Sequence, residues 1–315
     1  MRSYLSVFII FISIKYSNLK NLESLPTLFY EFHGSELSNK ESIEVVNNES
    51  SEIIEGFLVC IDCKEKFPII NGIPIIMKSF TNYLKLRPSL GGNLLLLSNS
   101  QKMKNFVKIT LSKLRKSSND LAIIEKRWEV IYRENKNSQF YSKMTQKFSM
   151  LPRSKFVLEH GASIGIISKS FAKKHENVFG IDSSFYAITT AKQNSQENID
   201  FFVCDSLFHP FGKKKFDIVL ALNLLELVEP VELLNIMFKQ VNHGYIIISD
   251  PYDYDRGKNS VRTPLYENDI RKKFHNLGMS IMYNTKNPNS FSWNLKINKR
   301  TTLNYKVDLV IGKKS

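Results

Sequence analysis

The stretch FVLEHGASIGIIS, residues 156–168, carries an apolar run into an acid and then into a tight turn of small residues. Phe156, Val157 and Leu158 read as the end of a buried parallel strand, and Ile166 to Ala172 as the opening of a helix. Between them Glu159, Gly161, Ala162, Ser163 and Gly165 make a loop whose main chain a ligand can approach, because glycine has no side chain and tolerates positive φ. Strand, small-residue turn and helix in this order imply a parallel sheet with crossover helices. Such a sheet binds its ligand beyond the carboxyl ends of its strands.

Charge indicates which nucleotide fits. A dinucleotide pyrophosphate wants a G-x-G-x-x-G turn and a helix start facing its negative charge. Here the carboxylate of Glu159 stands before the turn, which suits a ligand that carries positive charge, as S-adenosylmethionine does on its sulfonium and α-ammonium groups. Further acids follow at strand tips. NVFGIDSS, residues 177–184, is a second strand ending in Asp182, 23 positions after Glu159, where an acid can bond a ribose diol. IDFFVCDSLFHPF, residues 199–211, is a third, with Asp205 placed to accept a hydrogen bond from an adenine amino group. KFDIVLALNLLELVEP is a fourth, followed by a helix over Val231–Val241, and GYIIISDPYDYD is a fifth. Tyr266 to Leu277 read as a helix ended by Gly278, Met279 to Tyr283 as a sixth strand and Tyr305 to Lys313 as a seventh.

With these motifs in order, residues 151–315 resemble the class I S-adenosylmethionine-dependent methyltransferases. The resemblance implies an α/β, Rossmann-like sheet of seven strands, mostly parallel with an antiparallel edge hairpin. It implies S-adenosylmethionine as cofactor, held by Glu159, Gly161, Ala162, Gly165, Asp182, Ser183, Asp205, Ser206 and Asn223. The chain departs from the family pattern at Ser163, where the central glycine of the turn usually stands. Asn223 and Glu226 follow the fourth strand, and Asp250, Tyr252 and Asp253 follow the fifth, which brings them nearest the transferred methyl. Asn223, Asp250 and Tyr252 are therefore the catalytic candidates. D-P-Y is one proline short of the N/D-P-P-Y signature of amino-methylating enzymes. Glu226 reads equally well as a helix cap, His209 as a loop residue near adenine, and Cys204 as core.

The preceding half divides into an apolar N-terminus at 1–20, a ribbon-like domain at 21–80 and a helical connector at 81–150. The run LSVFIIFISI, residues 5–14, is too short to span a bilayer, which takes about 20 residues. No small-residue cleavage site follows it. GFLVCIDCKEKFPIINGIPIIM, residues 56–77, holds a C-x-x-C knuckle and an Asn71-Gly72 hairpin turn. It resembles half of the zinc ribbon of the tRNA-methyltransferase activator subunit. A structural zinc takes four Cys or His ligands, and this chain offers Cys60, Cys63 and His33. The expectation is a ribbon without its metal. In the connector, Leu121 to Asn135 form an amphipathic helix through Ile124, Trp128, Val130 and Ile131, preceded by a capping cluster at Ser117–Asp120. Helices placed before the first strand cover the site in such enzymes, so Tyr132, Phe140 and Tyr141 are candidates to wall it.

The 315 residues suffice for a full core and an accessory domain, and three cysteines exclude a disulfide framework and suggest the cytoplasm. The net charge of +14 is uneven: −1 over residues 1–100, +10 over 101–155, −5 over 156–255 and +10 over 256–315. Basic flanks around an acidic middle suit RNA. Against RNA, the basic stretches are not interleaved with aromatic residues. The turn GASIG, the run ALNLLELVEP and the tail FSWNLKINKR with YKVDLVIGKK are similar to the methyltransferase domain of ovothiol biosynthesis, which implies a small nitrogen acceptor. The balance favours methyl transfer to nitrogen or oxygen of a small molecule, with RNA as the alternative acceptor and a non-catalytic partner subunit as the second alternative. The oligomeric state is not readable.

Overall fold

The computed structural model describes residues 29–30, 35–36, 43–49, 52–60, 64–114, 119–212, 214–255 and 261–315. Packing divides the chain into two units, one of residues 1–127, 183–189 and 201–214, the other of residues 128–182, 190–200 and 215–315.

In the first unit the strands are β1 (Phe29–Tyr30), β2 (Ser35–Glu36), β3 (Ile43–Glu49), β4 (Glu52–Val59), β5 (Lys66–Ile70) and β6 (Ile73–Ile76). β1 and β2 pair with each other, and β3 to β6 form an antiparallel run. Asn71 and Gly72, at φ 53° and 68°, turn β5 into β6. Two positive φ values in a two-residue loop are what a type I′ hairpin demands, and Asn-Gly is the pair that accepts them at least cost. Helices α1 (Phe80–Lys85), α2 (Pro88–Leu97) and α3 (Gln101–Ser112) follow. The buried carboxylate of Glu55 accepts from the main-chain N–H groups of Asn99 and Ser100 at the start of α3.

Helix α4 (Leu121–Glu134) begins here, with Asp120 accepting from the N–H of Ala122 at 3.1 Å and of Ser89 at 3.0 Å. Its capping was expected from Asp120. Its apolar face was not fully foreseen, since Ile124 is 53% exposed whereas Ala122 and Ile131 are buried. Cys60 is buried, and Cys63 and His33 lie outside the described residues, as do residues 1–20. Among the described residues no cluster of His, Cys, Asp and Glu is placed to hold a metal, and no helix is long and apolar enough to cross a membrane.

The second unit contains α5 (Gln139–Phe148), β7 (Phe156–His160), α6 (Ile166–Ala172) and β8 (Asn177–Asp182). The chain then passes through α7 (Phe185–Lys192) and β9 (Ile199–Cys204), and β9 pairs in parallel with β6 at Ile75–Val203 in the first unit. β10 (Phe216–Leu222), α8 (Pro230–Gln240), β11 (Val241–Asp250), α9 (Glu267–Asn276), β12 (Ser280–Ile281), β13 (Phe291–Lys296) and β14 (Thr302–Lys314) complete it. The order across this unit is β12-β14-β11-β10-β7-β8, with β13 paired to the first half of β14. The strands β8, β7, β10 and β11 run in parallel and β14 is antiparallel to β11.

The α/β methyltransferase-type architecture with a mixed sheet is as expected, but the sheet counts twelve strands, not seven. β3 to β6 and β13 are the additions. The sixth strand shrinks to two residues, and the long antiparallel hairpin is β13–β14, whose alternation of buried Trp293 and Leu295 with exposed Ser292, Asn294 and Lys296 is a period of two.

β10 and β11 approach closely where Gly244 faces Asp217. A Cβ on Gly244 would stand 2.1 Å from the Asp217 carbonyl oxygen, a main-chain atom that cannot rotate away. Gly244→Ala is therefore expected to lower stability by about 1–3 kcal/mol, readable as a reduced midpoint in urea with an unchanged slope.

Candidate functional site

Glu159 is the penultimate residue of β7, all five of whose residues are buried, so the strand delivers a carboxylate into the interior near its carboxyl end. Isolating a carboxylate from water is costly unless it is hydrogen-bonded or protonated. Both remedies are present. Ser168 on α6 donates its hydroxyl to Glu159 Oε2, and burial pushes the Glu159 pKa up to about 8, with the charge of Asp182 adding to the rise. Two carboxylates thus face one small space. Neighbouring His160 does not neutralise them, because burial holds its pKa down to about 4 and its Nε2 pairs with Gln240 Oε1 at 2.8 Å.

The turn between β7 and α6 is built from left-handed positions. Gly161, Ser163 and Gly165 have φ of 67°, 48° and 75°. This accounts for the usual glycine at the Ser163 position, since a side chain in the left-handed region costs roughly 1–2 kcal/mol. Ser163 is held there by its N–H, which donates to Asp182 Oδ2 at 2.9 Å, while Ala162 N–H donates to Ile181 O at 2.9 Å. The turn is therefore tied to the end of β8, and Asp182 is positioned by the loop it serves.

At the ends of β10 and β11 the chain strains again. Asn223 has φ 54°, and its N–H donates to Ser249 O at 2.6 Å. Asn223 Oδ1 and Ser249 Oγ are both buried and, among the described residues, without a hydrogen-bond partner. A buried polar atom left unpaired costs about 1–3 kcal/mol, and such atoms at strand carboxyl ends are what a ligand would satisfy. Glu226 is fully buried close by in sequence.

Asp250 and Tyr252 are fixed by their neighbours. Asp250 accepts from Leu225 N–H at 2.9 Å and Tyr252 N–H at 2.8 Å, so one carboxylate sets the loops after β10 and β11. Tyr252 donates its hydroxyl to Asp308 Oδ2 at 3.0 Å, and burial with the Asp308 charge raises its pKa far above the usual phenol range.

Of the aromatic candidates, Phe140 is core, packed at 5.3 Å on Trp293. Tyr132 stacks on Trp293 at 6.2 Å. The Tyr141 pKa is raised by burial and by the charges of Tyr132 and Glu159, which puts its hydroxyl in their neighbourhood. Sequence reasoning missed Ser168, whose hydroxyl serves Glu159 from the next helix. Its only signal was a polar residue in a helix of otherwise apolar register.

The remaining expected residues belong to the first unit. Ser183 O accepts from the Tyr83 hydroxyl at 2.9 Å, and Asp205 Oδ1 accepts from Leu207 N–H at 2.8 Å. Ser206 is buried. Cys204 is buried in β9, and His209 stacks on Phe211 while its Nδ1 accepts from Phe211 N–H.

Residues 157–244 match the family model described as a methyltransferase domain. Over this stretch the chain is similar to a methyltransferase domain. The match begins inside β7 and ends inside β11, so it includes the turn, Asp182, Asp205 and Asn223. No curated protein matches the sequence. Among solved structures, the chain is similar to magnesium protoporphyrin IX methyltransferase from Synechocystis PCC 6803 with bound SAH, at 18% identity and a TM-score of 0.44, covering 60% of this chain and 93% of that one. It is similar to a chain from the complex of the Haloferax volcanii Trm112 methyltransferase activator with a methyltransferase, at 14% identity and a TM-score of 0.49, covering 60% and 96%. It is also similar to the N-methyltransferase NodS from Bradyrhizobium japonicum WM9, at 15% identity and a TM-score of 0.42, covering 56% and 98%. At these scores the assignment rests on the family model.

Proposed function

We propose that the chain transfers the methyl group of S-adenosylmethionine to a nitrogen or oxygen acceptor at the carboxyl ends of β7, β10 and β11. The observation that carries the reading is the convergence of two carboxylates, Glu159 and Asp182, on one turn, where burial and the Asp182 charge both disfavour ionisation of Glu159. A cationic ligand resolves that conflict. An anionic one would worsen it. A non-catalytic scaffold would have no use for the arrangement.

When bound, the cofactor supplies a methyl group on a sulfonium, open to in-line displacement. The chain supplies the alignment, which can lower a barrier by about 7–11 kcal/mol. In this reading Glu159 takes the α-ammonium group and Asp182 the ribose diol. Gly161, Ala162 and Gly165 leave room for the ligand's main body. Asn223 Oδ1, buried and unpaired, accepts a hydrogen bond from the acceptor or from the cofactor's amino group. Asp250 and Tyr252 act by position, holding the loops that carry Asn223 and Leu225. Tyr132 and Tyr141 wall the space from α4 and α5 and exclude water.

Asn223→Ala should lower turnover with isotopically labelled cofactor by about tenfold, the worth of one hydrogen bond at an otherwise unpaired oxygen. A variant with unchanged turnover would remove Asn223 from the site. Which molecule carries the acceptor atom depends on the surface around this cleft.

A further inference from the structure

The sequence shows basic residues apart from aromatic ones, but folding within the second unit changes their neighbours. The turn between α4 and α5 is fastened to the far end of the β13 strand by two reciprocal hydrogen bonds. Asn135 Nδ2 donates to Lys296 O at 2.9 Å, and Lys296 N–H donates to Asn135 Oδ1 at 2.9 Å. Lys136 on that turn thereby joins Lys296, Lys299 and Arg300 at the tip of the β13–β14 hairpin. Lys169 on α6, the helix that begins at the Gly165 end of the turn, is close enough for the Lys136 charge to act on it. Its pKa is lowered by partial burial and by that charge.

The hairpin from Phe291 to Lys306 contains four cations and no acid. Lys136, Lys296, Lys299 and Arg300 are exposed, and among the described residues none is ion-paired. Arg133 is held by Glu129 at 3.3 Å and marks one edge of the patch. The half-buried rings of Trp128, Tyr132 and Tyr305, grouped around Trp293, mark the other.

Like charges held together in this way cost free energy unless an anion meets them. A bilayer-docking face would need exposed apolar side chains beside its cations. Among the described residues, the exposed large apolar ones, such as Leu96, Ile109 and Ile123, all lie outside this hairpin and turn. What surrounds the cations here is Asn137, Asn294, Asn298 and Asn304, exposed or half-buried amides that can bond phosphate and sugar oxygens.

We infer that this patch binds the phosphodiester backbone of a single-stranded nucleic acid, so that the methyl acceptor is carried on a polynucleotide. The inference rests on the methyl-transfer reading above and names its substrate class. The strand would lie along the hairpin tip and the α4–α5 turn, its phosphates on Lys136, Lys299 and Arg300, with one nucleotide directed past Tyr132 toward Tyr141 and Glu159. Glu159 and Tyr141 belong to the same unit as the patch.

The test uses the full chain, a mixed-sequence single-stranded RNA of about 20 nucleotides, the DNA of the same sequence, and phosphatidylserine vesicles. The expected result is binding of at least one oligonucleotide that weakens steeply with salt. The triple variant Lys136→Gln/Lys299→Gln/Arg300→Gln should bind at least about tenfold more weakly and with a salt slope reduced by about two, while S-adenosylmethionine still binds. RNA alone, DNA alone or both would each support the inference and name the source of the phosphates. Absence of oligonucleotide binding at low salt, binding that the triple variant retains, or vesicle binding in place of oligonucleotide binding would overturn it. Cofactor binding separates the two readings: if it persists when the oligonucleotides fail, the fault lies here and the acceptor is a small molecule. If it too is missing, the methyl-transfer reading fails.

Discussion

Arg271→Ala is expected to destabilise the protein by about 3–5 kcal/mol, because it leaves a buried carboxylate without its countercharge. Arg271 and Asp308 are both nearly inaccessible, with side-chain exposures of 9% and 3%. Their contact is a fork: Nη1 to Oδ2 at 2.7 Å and Nη2 to Oδ1 at 2.9 Å. The same guanidinium donates to the carbonyls of Glu267 and Lys286, at 2.8 and 3.0 Å, and of Thr285 and Asn287, both at 3.1 Å. Asp308 in turn accepts from Asn289 N–H at 2.9 Å and from the Tyr252 hydroxyl at 3.0 Å. The pair therefore joins α9, the segment 283–289, β14 and the loop after β11.

Arg271→Lys should recover only part of the loss, since an ammonium has the charge but not the planar fork. The double variant Arg271→Met/Asp308→Leu should be less damaged than Arg271→Ala alone, because replacing both charges removes the burial penalty together with the attraction. Chemical denaturation monitored by tryptophan fluorescence reads all three. Wild-type stability in Arg271→Ala would show that the pair is not closed in solution.

This network marks the limit of what residue order can show. Glu159 and Asp182 were legible because each ends a run of apolar residues, and a strand tip is a place that sequence fixes in space. Asn223 and Asp250 were legible for the same reason. Asp250 and Tyr252, however, looked like acceptor-orienting groups, and only their hydrogen bonds show how far they are engaged in holding the loops. Arg271 and Asp308 are 37 positions apart, and Asn135 and Lys296 are 161 apart. No periodicity relates such pairs. Arg271 meets Asp308 across α9 and β14, and Asn135 meets Lys296 at the end of β13, a strand that is not legible because FSWNLK is too short and too mixed to stand out from a loop. The extension of the sheet through β3 to β6 is hidden differently: Asn71-Gly72 marks the hairpin, but nothing in the four residues of β6 specifies that a parallel strand, β9, pairs with its far edge.

The second large effect concerns the cofactor. Asp182→Ala should weaken S-adenosylmethionine binding by about ten- to a hundredfold, since hydrogen bonds to a charged group are worth about 1.5–3 kcal/mol. Part of that loss would come from the turn, because Asp182 also holds Ser163 N–H. Asp182→Asn keeps an oxygen for Ser163 and should lose less. Glu159 adds a pH signature. Its pKa of about 8 in the folded protein lies above the ordinary carboxylate value of 4.5, so the folded state binds more protons than the unfolded state between those limits. Stability contributed by this group is thus present below about pH 4.5 and declines as pH rises toward 8. Binding of a cation favours the ionised form, so it should release a proton, and affinity should rise with pH by up to about tenfold per unit below the free pKa. The ligand's own α-amino group remains charged below about pH 8. Glu159→Gln should bind weakly and without that slope.

Calorimetric titration of the folded chain with S-adenosylmethionine, at several pH values below 8, tests the central claim most directly. The account predicts saturable binding near one site per chain, tighter at higher pH, and weakened by Asp182→Ala. A flat titration of well-folded wild-type protein, or binding indifferent to both Asp182→Ala and Glu159→Gln, would contradict it.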